Sequence, residues 1–374
     1  MAGREVFGDE EIKEVVDVLK RKVLFRYGFD KEREGIYKVK EFEDEFKKYI
    51  GSRYALGVSS GSSALKIAIE SLNLPKGKEI ITQSFTFVAT VEAIKESGFK
   101  PVLCEIDKSL NIDIQDIERK ITKNTVAIIP VNMMGCSGKI DEVIKLAKSR
   151  NLKVIEDNCQ STGASYKGKK LGTFGDIGCF SFDYVKVMTT GEGGMIVTDD
   201  EEIYKQAEYY HDHGHPHLPN LSRGEEKRMR EGFNFRMNEI QGALGIVQLK
   251  KLPEIIKMQK ENKKKIKEGI KDINGIEFRE IPDPEGDIAT FLTFYLQTKE
   301  KAEKFKEKMR ENCVNPAILN YWHFIANIEI VGGDFPKSRE ILDKMVSIEI
   351  KTIMTDNEIS KIIDVIRKVA KQII

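Results

Sequence analysis

From about residue 55 to residue 200 the chain alternates short apolar runs with amphipathic stretches. The apolar runs at 55–59, 79–82, 101–105, 126–131, 153–156, 178–182 and 195–198 have strand length and composition. Between them, 63–72, 88–97, 113–120 and 139–149 repeat apolar residues at helical spacing. This alternation predicts an α/β fold, a mostly parallel sheet covered by helices. Open sheets of that kind bind ligands beyond the carboxyl ends of their strands, so the chemistry is expected along that edge.

The pattern changes after residue 234. Residues 238–269 read as one long helix rich in Lys and Glu, expected to link a larger domain (1–250, with an N-terminal arm) to a smaller one (251–374). Strands are predicted at 277–281, 291–296 and 345–350, and helices at 299–312 and 356–373, which makes the smaller domain α+β. Residues 1–50 predict a helix at 9–20, an irregular arm containing Phe25-Arg26-Tyr27-Gly28-Phe29-Asp30, and a helix at 40–49. A length of 374 residues suits two such domains better than one core.

Composition narrows the function classes. With 61 Lys and Arg against 60 Asp and Glu, no global field favours nucleic acid or an anionic membrane. No apolar run is long enough to span a bilayer, and Met1-Ala2-Gly3-Arg4-Glu5 has no apolar signal core, so a cytoplasmic enzyme is expected. The five cysteines (104, 136, 159, 179 and 313) are odd in number and free of CxxC spacing, which reads as buried, reduced thiols.

Two residues carry the sharpest chemical signal. Lys186 closes Ser181-Phe182-Asp183-Tyr184-Val185-Lys186, just before Thr189-Thr190-Gly191-Glu192-Gly193-Gly194, and Asp157 ends the strand Val154-Ile155-Glu156-Asp157. A lysine amine can hold an aldehyde cofactor, and a carboxylate can keep a pyridine nitrogen protonated; pyridoxal 5'-phosphate (PLP) needs both. Ser59-Ser60-Gly61-Ser62-Ser63 precedes a helix, where small residues and unpaired N–H groups suit a phosphate, although plain serine capping gives the same sequence. Phe87 could stack on a planar ring or fill the core, and Gln160, three residues past Asp157, could meet a ring hydroxyl or follow a helix cap. Asn234 and Arg236 precede a helix cap at Asn238 and would need an anionic partner to be functional. His211, His213, His215 and His217 tempt a metal reading, but Gly and Pro alternate with them and no acidic or Cys cluster follows, so a mobile loop touching polar substrate is expected and no metal. Tyr321-Trp322-His323-Phe324 fits core packing and substrate contact equally.

The segments SSGSSAL, TFVAT, EDNCQSTGASYKGKKLGTFGDIGCFSFDYVK, TTGEGGMIVT and GFNFRMNEIQGALG resemble the DegT/DnrJ/EryC1/StrS family of fold-type-I, PLP-dependent sugar aminotransferases. The resemblance runs from Phe7-Gly8 to the C-terminal helix. It implies that Lys186 bonds the cofactor aldehyde, Asp157 partners the pyridine nitrogen, Gln160 lies near the ring hydroxyl and Phe87 stacks on the ring. Gly61, Ser62 and Ser181 match phosphate contacts, and Asn234 matches a residue that reaches the cofactor phosphate of a neighbouring subunit. The implied assembly is a homodimer with active sites at its interface.

The stretch 25–30, the 211–217 loop, residues 279–287 and Asn320-Tyr321-Trp322-His323 look like the subgroup that makes 8-amino-3,8-dideoxy-manno-octulosonate for lipopolysaccharide. That likeness implies amino transfer from L-glutamate to a C8 aldehyde. Arg26, His213, His215, Arg236 and His323 are the candidates to meet the sugar-acid carboxylate. Asn132 stands where the family commonly shows His, and the stretch after His323 is shorter than in that subgroup. Three other readings are a nucleotide-sugar aminotransferase, a PLP sugar dehydratase, which Lys186 disfavours because such relatives replace that lysine, and a PLP-binding regulator, for which a basic DNA-binding segment is missing.

Overall fold

The computed structural model describes residues 2–219 and 221–374. In chain order its first strands are β1 (Tyr54–Val58), β2 (Glu79–Gln83), β3 (Lys100–Cys104), β4 (Thr125–Ile129), β5 (Lys153–Asp157), β6 (Ser165–Tyr166), β7 (Lys169–Lys170), β8 (Ile177–Ser181) and β9 (Gly194–Thr198). The short β6 and β7 pair only with each other. The other seven form one sheet in the order β1-β9-β8-β5-β4-β2-β3. All its neighbours are parallel except those of β9, which runs antiparallel to both β1 and β8. β8 and β9 are buried at every residue, as strands covered on both faces must be.

Helices fill both faces. On one side Lys38–Ile50 and the long Glu239–Glu268 helix supply Val39, Phe42, Phe46, Ile246, Leu249 and Leu252 to a core shared with the sheet. On the other, Gly61–Ser71, Ala89–Glu96 and Glu201–His211 cover it. The second sheet joins β10 (Glu277–Phe278), β11 (Phe291–Tyr295) and β12 (Met345–Glu349), all antiparallel, under the helices Lys299–Glu311 and Asp356–Ile373. A further cluster, including Phe85, Leu103, Met134, Tyr295, Phe324 and Met345, packs between the two sheets.

The expected division at residue 250 falls inside a continuous helix. Asn238 and Gln241 cap it reciprocally (Asn238 Oδ1 accepts from Gln241 N at 3.0 Å, Gln241 Oε1 from Asn238 N at 2.9 Å), and Gly269 ends it. Leu252 and Ile255 belong to the first core and Ile266 to the core of the second sheet, so one helix serves both. The helix Glu201–His211 is the main element the periodicity does not announce. Its face is largely polar, and Asp200 starts it by accepting from Glu202 N and Ile203 N. Cysteines 104, 136 and 179 are buried and Cys159 half-buried, but Cys313 is exposed, because it follows the helix Lys299–Glu311 on an outward turn.

Candidate active site

The carboxyl edge of the first sheet gathers the predicted residues. Asp157 and Ser181 are the last residues of β5 and β8, Gly61 and Ser62 follow β1, Phe87 follows β2, and Lys186 lies in the loop from β8 to β9. That loop is pinned near its base: Phe182 N donates to the Gly193 carbonyl and Thr190 N to the Phe182 carbonyl, both at 2.9 Å. β9 returns beside β8, so Lys186 is presented from a loop closed at both ends by one strand pair.

Ser60 does cap the helix Gly61–Ser71, its Oγ accepting from Ser63 N at 3.1 Å. This leaves the N–H groups of Gly61 and Ser62, which have no carbonyl in the helix to bond. Capping and phosphate binding are therefore compatible here. Gly61 has no room for a side chain: a Cβ would lie 2.7 Å from Ser181 Cβ and 3.1 Å from Cys159 Sγ. The helix start, the end of β8 and the turn after β5 meet at that point.

Asp157 is buried and held on both oxygens. Thr90 Oγ1 donates to its Oδ2 at 2.8 Å and Cys159 N to its Oδ1 at 3.0 Å, while Thr86 and Thr90 share a hydroxyl contact at 2.8 Å. The carboxylate caps a turn and not a helix. Gln160 Oε1 accepts from Met134 N at 3.2 Å. Asn132 donates through Nδ2 to Asn158 Oδ1 at 2.7 Å, so the amide that replaces the expected histidine is held by the first residue past β5.

Lys186 is half-buried, and its amine has no hydrogen-bond or ion-pair partner among the described residues. It shares a cavity of about 240 Å³ with Gln160, Thr162, Gln259, Leu319, His323 and Glu349. Burial, and then the nearby Lys186 charge, push the His323 imidazole down to about 4, so it is neutral at neutral pH. Phe87 is 44 % exposed, which excludes the core reading; its ring lies 5.5 Å from that of His323. On either side of Phe87, Thr86 N and Val88 N donate to the carbonyls of His323 and Trp322, both at 2.9 Å. Of the Tyr321–Phe324 stretch, Phe324 is core, His323 lines the cavity, and Tyr321 and Trp322 are exposed.

Of the five substrate candidates, His323 alone lines the Lys186 cavity. Arg26 is buried, ion-paired to Glu43 and bonded to the Gly57 carbonyl at 3.0 Å; its charge braces β1. Arg236 pairs with Asp212, His215 Nδ1 meets Glu226 at 2.9 Å, and His213 is exposed in a left-handed conformation (φ 55°). The expected mobile loop is anchored instead: His211 is buried and bonds the Tyr27 hydroxyl at 2.8 Å, and His217 stacks on the Tyr27 ring at 3.7 Å. These contacts join the 25–30 arm to the 211–217 loop around a separate cavity of about 1010 Å³. Asn234 is exposed, its backbone paired with that of Asp212. Thr90 and Cys159 are site residues that sequence reasoning passed over. Thr90 sits in a segment whose aromatics carry the stronger signal, and Cys159 has no spacing that sets it apart from the other thiols.

The residues fit PLP. A neutralising edge of two free amides at Gly61 and Ser62 suits a phosphate, Asp157 offers a fixed carboxylate, Lys186 an unpaired amine, and the glycine at 61 keeps the seat open. Residues 7–367 match the DegT/DnrJ/EryC1/StrS aminotransferase family. An uncharacterized protein of Methanocaldococcus jannaschii is 32 % identical over 99 % of this chain and 97 % of its own. The dTDP-3-amino-3,6-dideoxy-alpha-D-galactopyranose transaminase of Aneurinibacillus thermoaerophilus is 31 % identical over 88 % of this chain and 89 % of its own. The E. coli GDP-4-keto-6-deoxy-D-mannose-3-dehydratase structure with bound hydrated PLP superposes with a TM-score of 0.86 at 29 % identity, covering 96 % of this chain and 97 % of that one. The chain thus belongs to the DegT/DnrJ/EryC1/StrS aminotransferase family and is a PLP-dependent sugar aminotransferase of fold type I.

Proposed function

We propose that the protein moves an amino group from L-glutamate to the C8 aldehyde of a 3-deoxy-octulosonate, the step that supplies an 8-amino sugar acid for lipopolysaccharide. The observation that carries this reading is the packing of two subgroup-like stretches into one constellation. Tyr27 of the arm bonds His211 and stacks on His217, apart from the general cofactor motifs.

Bound PLP supplies an aldehyde for amines and a ring that accepts electrons. Lys186 Nζ would anchor it and would take and return the proton at the amine-bearing carbon. Asp157, fixed by Thr90 and Cys159 N, would hold the proton on the ring nitrogen. The amides of Gly61 and Ser62, with Ser181 beside them, would hold the phosphate. Gln160 is assigned to the ring hydroxyl and Phe87 to the ring face. Neutral His323 is assigned to the sugar as a hydrogen-bonding group and not as a fixed cation. Asn234 is assigned to the cofactor phosphate of a second subunit in a homodimer, a reading supported by its exposure and by its place outside the Lys186 cavity lining, and Arg236, His213 and His215 remain candidates for the sugar-acid carboxylate.

The second reading is a nucleotide-sugar aminotransferase, favoured by the likeness to the dTDP-sugar transaminase. The deciding experiment has two stages. Adding L-glutamate to the PLP-loaded protein is expected to convert the visible absorbance to that of the amine form of the cofactor, and Lys186→Ala is expected to abolish the starting band. The aminated protein is then offered the octulosonate 8-aldehyde, a dTDP-keto sugar and a GDP-keto sugar, with products read by mass. Return of the band with a nucleotide sugar alone overturns the octulosonate assignment.

A further inference from the structure

The helix Lys299–Glu311 places Lys299, Glu303, Lys306 and Arg310 at spacings that share one face. Lys306 and Arg310 are like charges one turn apart, an arrangement that costs helix stability. Neither side chain has a hydrogen-bond or ion-pair partner among the described residues. Across a cavity of about 340 Å³ they meet Arg339 and Asp343 of the helix Pro336–Asp343. Two carboxylates line that cavity. Asp343 is engaged by Lys299 at 3.3 Å, and Glu303 alone faces the remaining cations, so the lining holds a surplus of two positive charges. Burial lowers the affinity of Lys306 for its proton, although Glu303 opposes the shift. A half-buried ammonium and two exposed guanidinium groups around one space are a receptor for an oxyanion with several acceptor oxygens.

The far wall is made by Ile318, Leu319, Asn320, Phe324 and Ile325. Leu319 also lines the Lys186 cavity, so one segment borders both cavities. That segment carries His323 into the cofactor site and hangs from the backbone beside Phe87 through the Thr86 and Val88 amides. Within it, Tyr321–Ile325 form a single wide π-type turn, an arrangement often found at functional sites.

We propose that the cavity between Lys299–Glu311 and Pro336–Asp343 binds a free phosphate-class oxyanion, and that occupancy is transmitted through Leu319 and the Tyr321–Ile325 turn to the Lys186 site. The test is calorimetric titration of inorganic phosphate into the PLP-loaded protein at constant ionic strength. The loaded protein is used so that phosphate does not simply fill the helix start at Gly61. Saturable binding is expected, weakened about tenfold or more in the Lys306→Gln/Arg310→Gln double variant. In the unaltered protein the cofactor absorbance should shift with the same midpoint as binding. An unshifted cofactor band in the phosphate-free variant shows that its fold is intact; if the band is lost, Arg339→Gln is read in its place. Absence of saturable binding, or equal binding by the variant, overturns the site. Binding with no change in the cofactor band overturns the transmission.

Discussion

Gly61→Ala tests the phosphate seat with one methyl group. The new Cβ would fall 2.7 Å from Ser181 Cβ, 3.0 Å from Ser181 Oγ and 3.1 Å from Cys159 Sγ. Carbon atoms prefer about 3.5–4.0 Å, so the helix start or the end of β8 must move by close to an ångström. Ser181 is buried in β8 and Cys159 sits in the turn fixed to Asp157, so the helix start is the element that yields. Overpacking of this kind costs about 1–3 kcal/mol, and each hydrogen bond to a charged oxygen that is misdirected costs about 1.5–3 kcal/mol. A loss of about 1.5–3 kcal/mol in cofactor binding corresponds to roughly a 10- to 200-fold weaker Kd. Titration of the cofactor-free protein, followed by absorbance, measures it. Pyridoxal, which lacks the phosphate, provides the comparison: its binding should change far less than that of PLP. Equal weakening of both ligands, or PLP binding as tight as in the unaltered protein, would refute the assignment of the Gly61 helix start to the phosphate.

Thr90→Val keeps shape and removes the hydroxyl that donates to Asp157 Oδ2; kcat for the glutamate half-reaction should fall by roughly 10- to 100-fold, measured by single-turnover absorbance, and an unchanged rate would separate Asp157 orientation from catalysis. His323 is held near 4 against about 6.5 in an unfolded chain, so below pH 6.5 the unfolded state takes a proton that the folded state refuses. Stability should therefore fall by about 2 kcal/mol from pH 7 to pH 5 on this account, and His323→Leu should flatten the urea-midpoint profile by that amount. Glu43→Leu strands the buried Arg26 charge and should cost about 3–5 kcal/mol, seen as a lower Tm; lost sugar turnover with unchanged Tm would instead put Arg26 at the substrate.

The sheet was legible because seven short apolar runs between amphipathic stretches permit little else. The site was legible where chemistry and strand ends coincide, as at Asp157, Lys186 and Gly61. Arg26 shows the opposite case. Nothing local to it reveals Glu43, which faces it from a different element, so the ion pair that fixes Arg26 at the edge of the 1010 Å³ cavity is invisible in the sequence. The 211–217 loop misled in the same way, since its Gly and Pro speak for mobility while its restraints come from Tyr27, far away in sequence. Thr90 is the subtlest omission: a hydroxyl one helical turn past Thr86 has no signature until β5 lies beside it.

The long helix Glu239–Glu268 has a consequence for how the protein comes apart. Ile246, Leu249, Leu252 and Ile255 are sunk in one core and Ile266 in the other, with no flexible joint between them. Melting the smaller core would strip one end of a beam that the larger core needs whole. Opening of either half therefore draws on the stability of both, and the amide hydrogens along the middle of that beam should exchange only as slowly as the molecule unfolds globally.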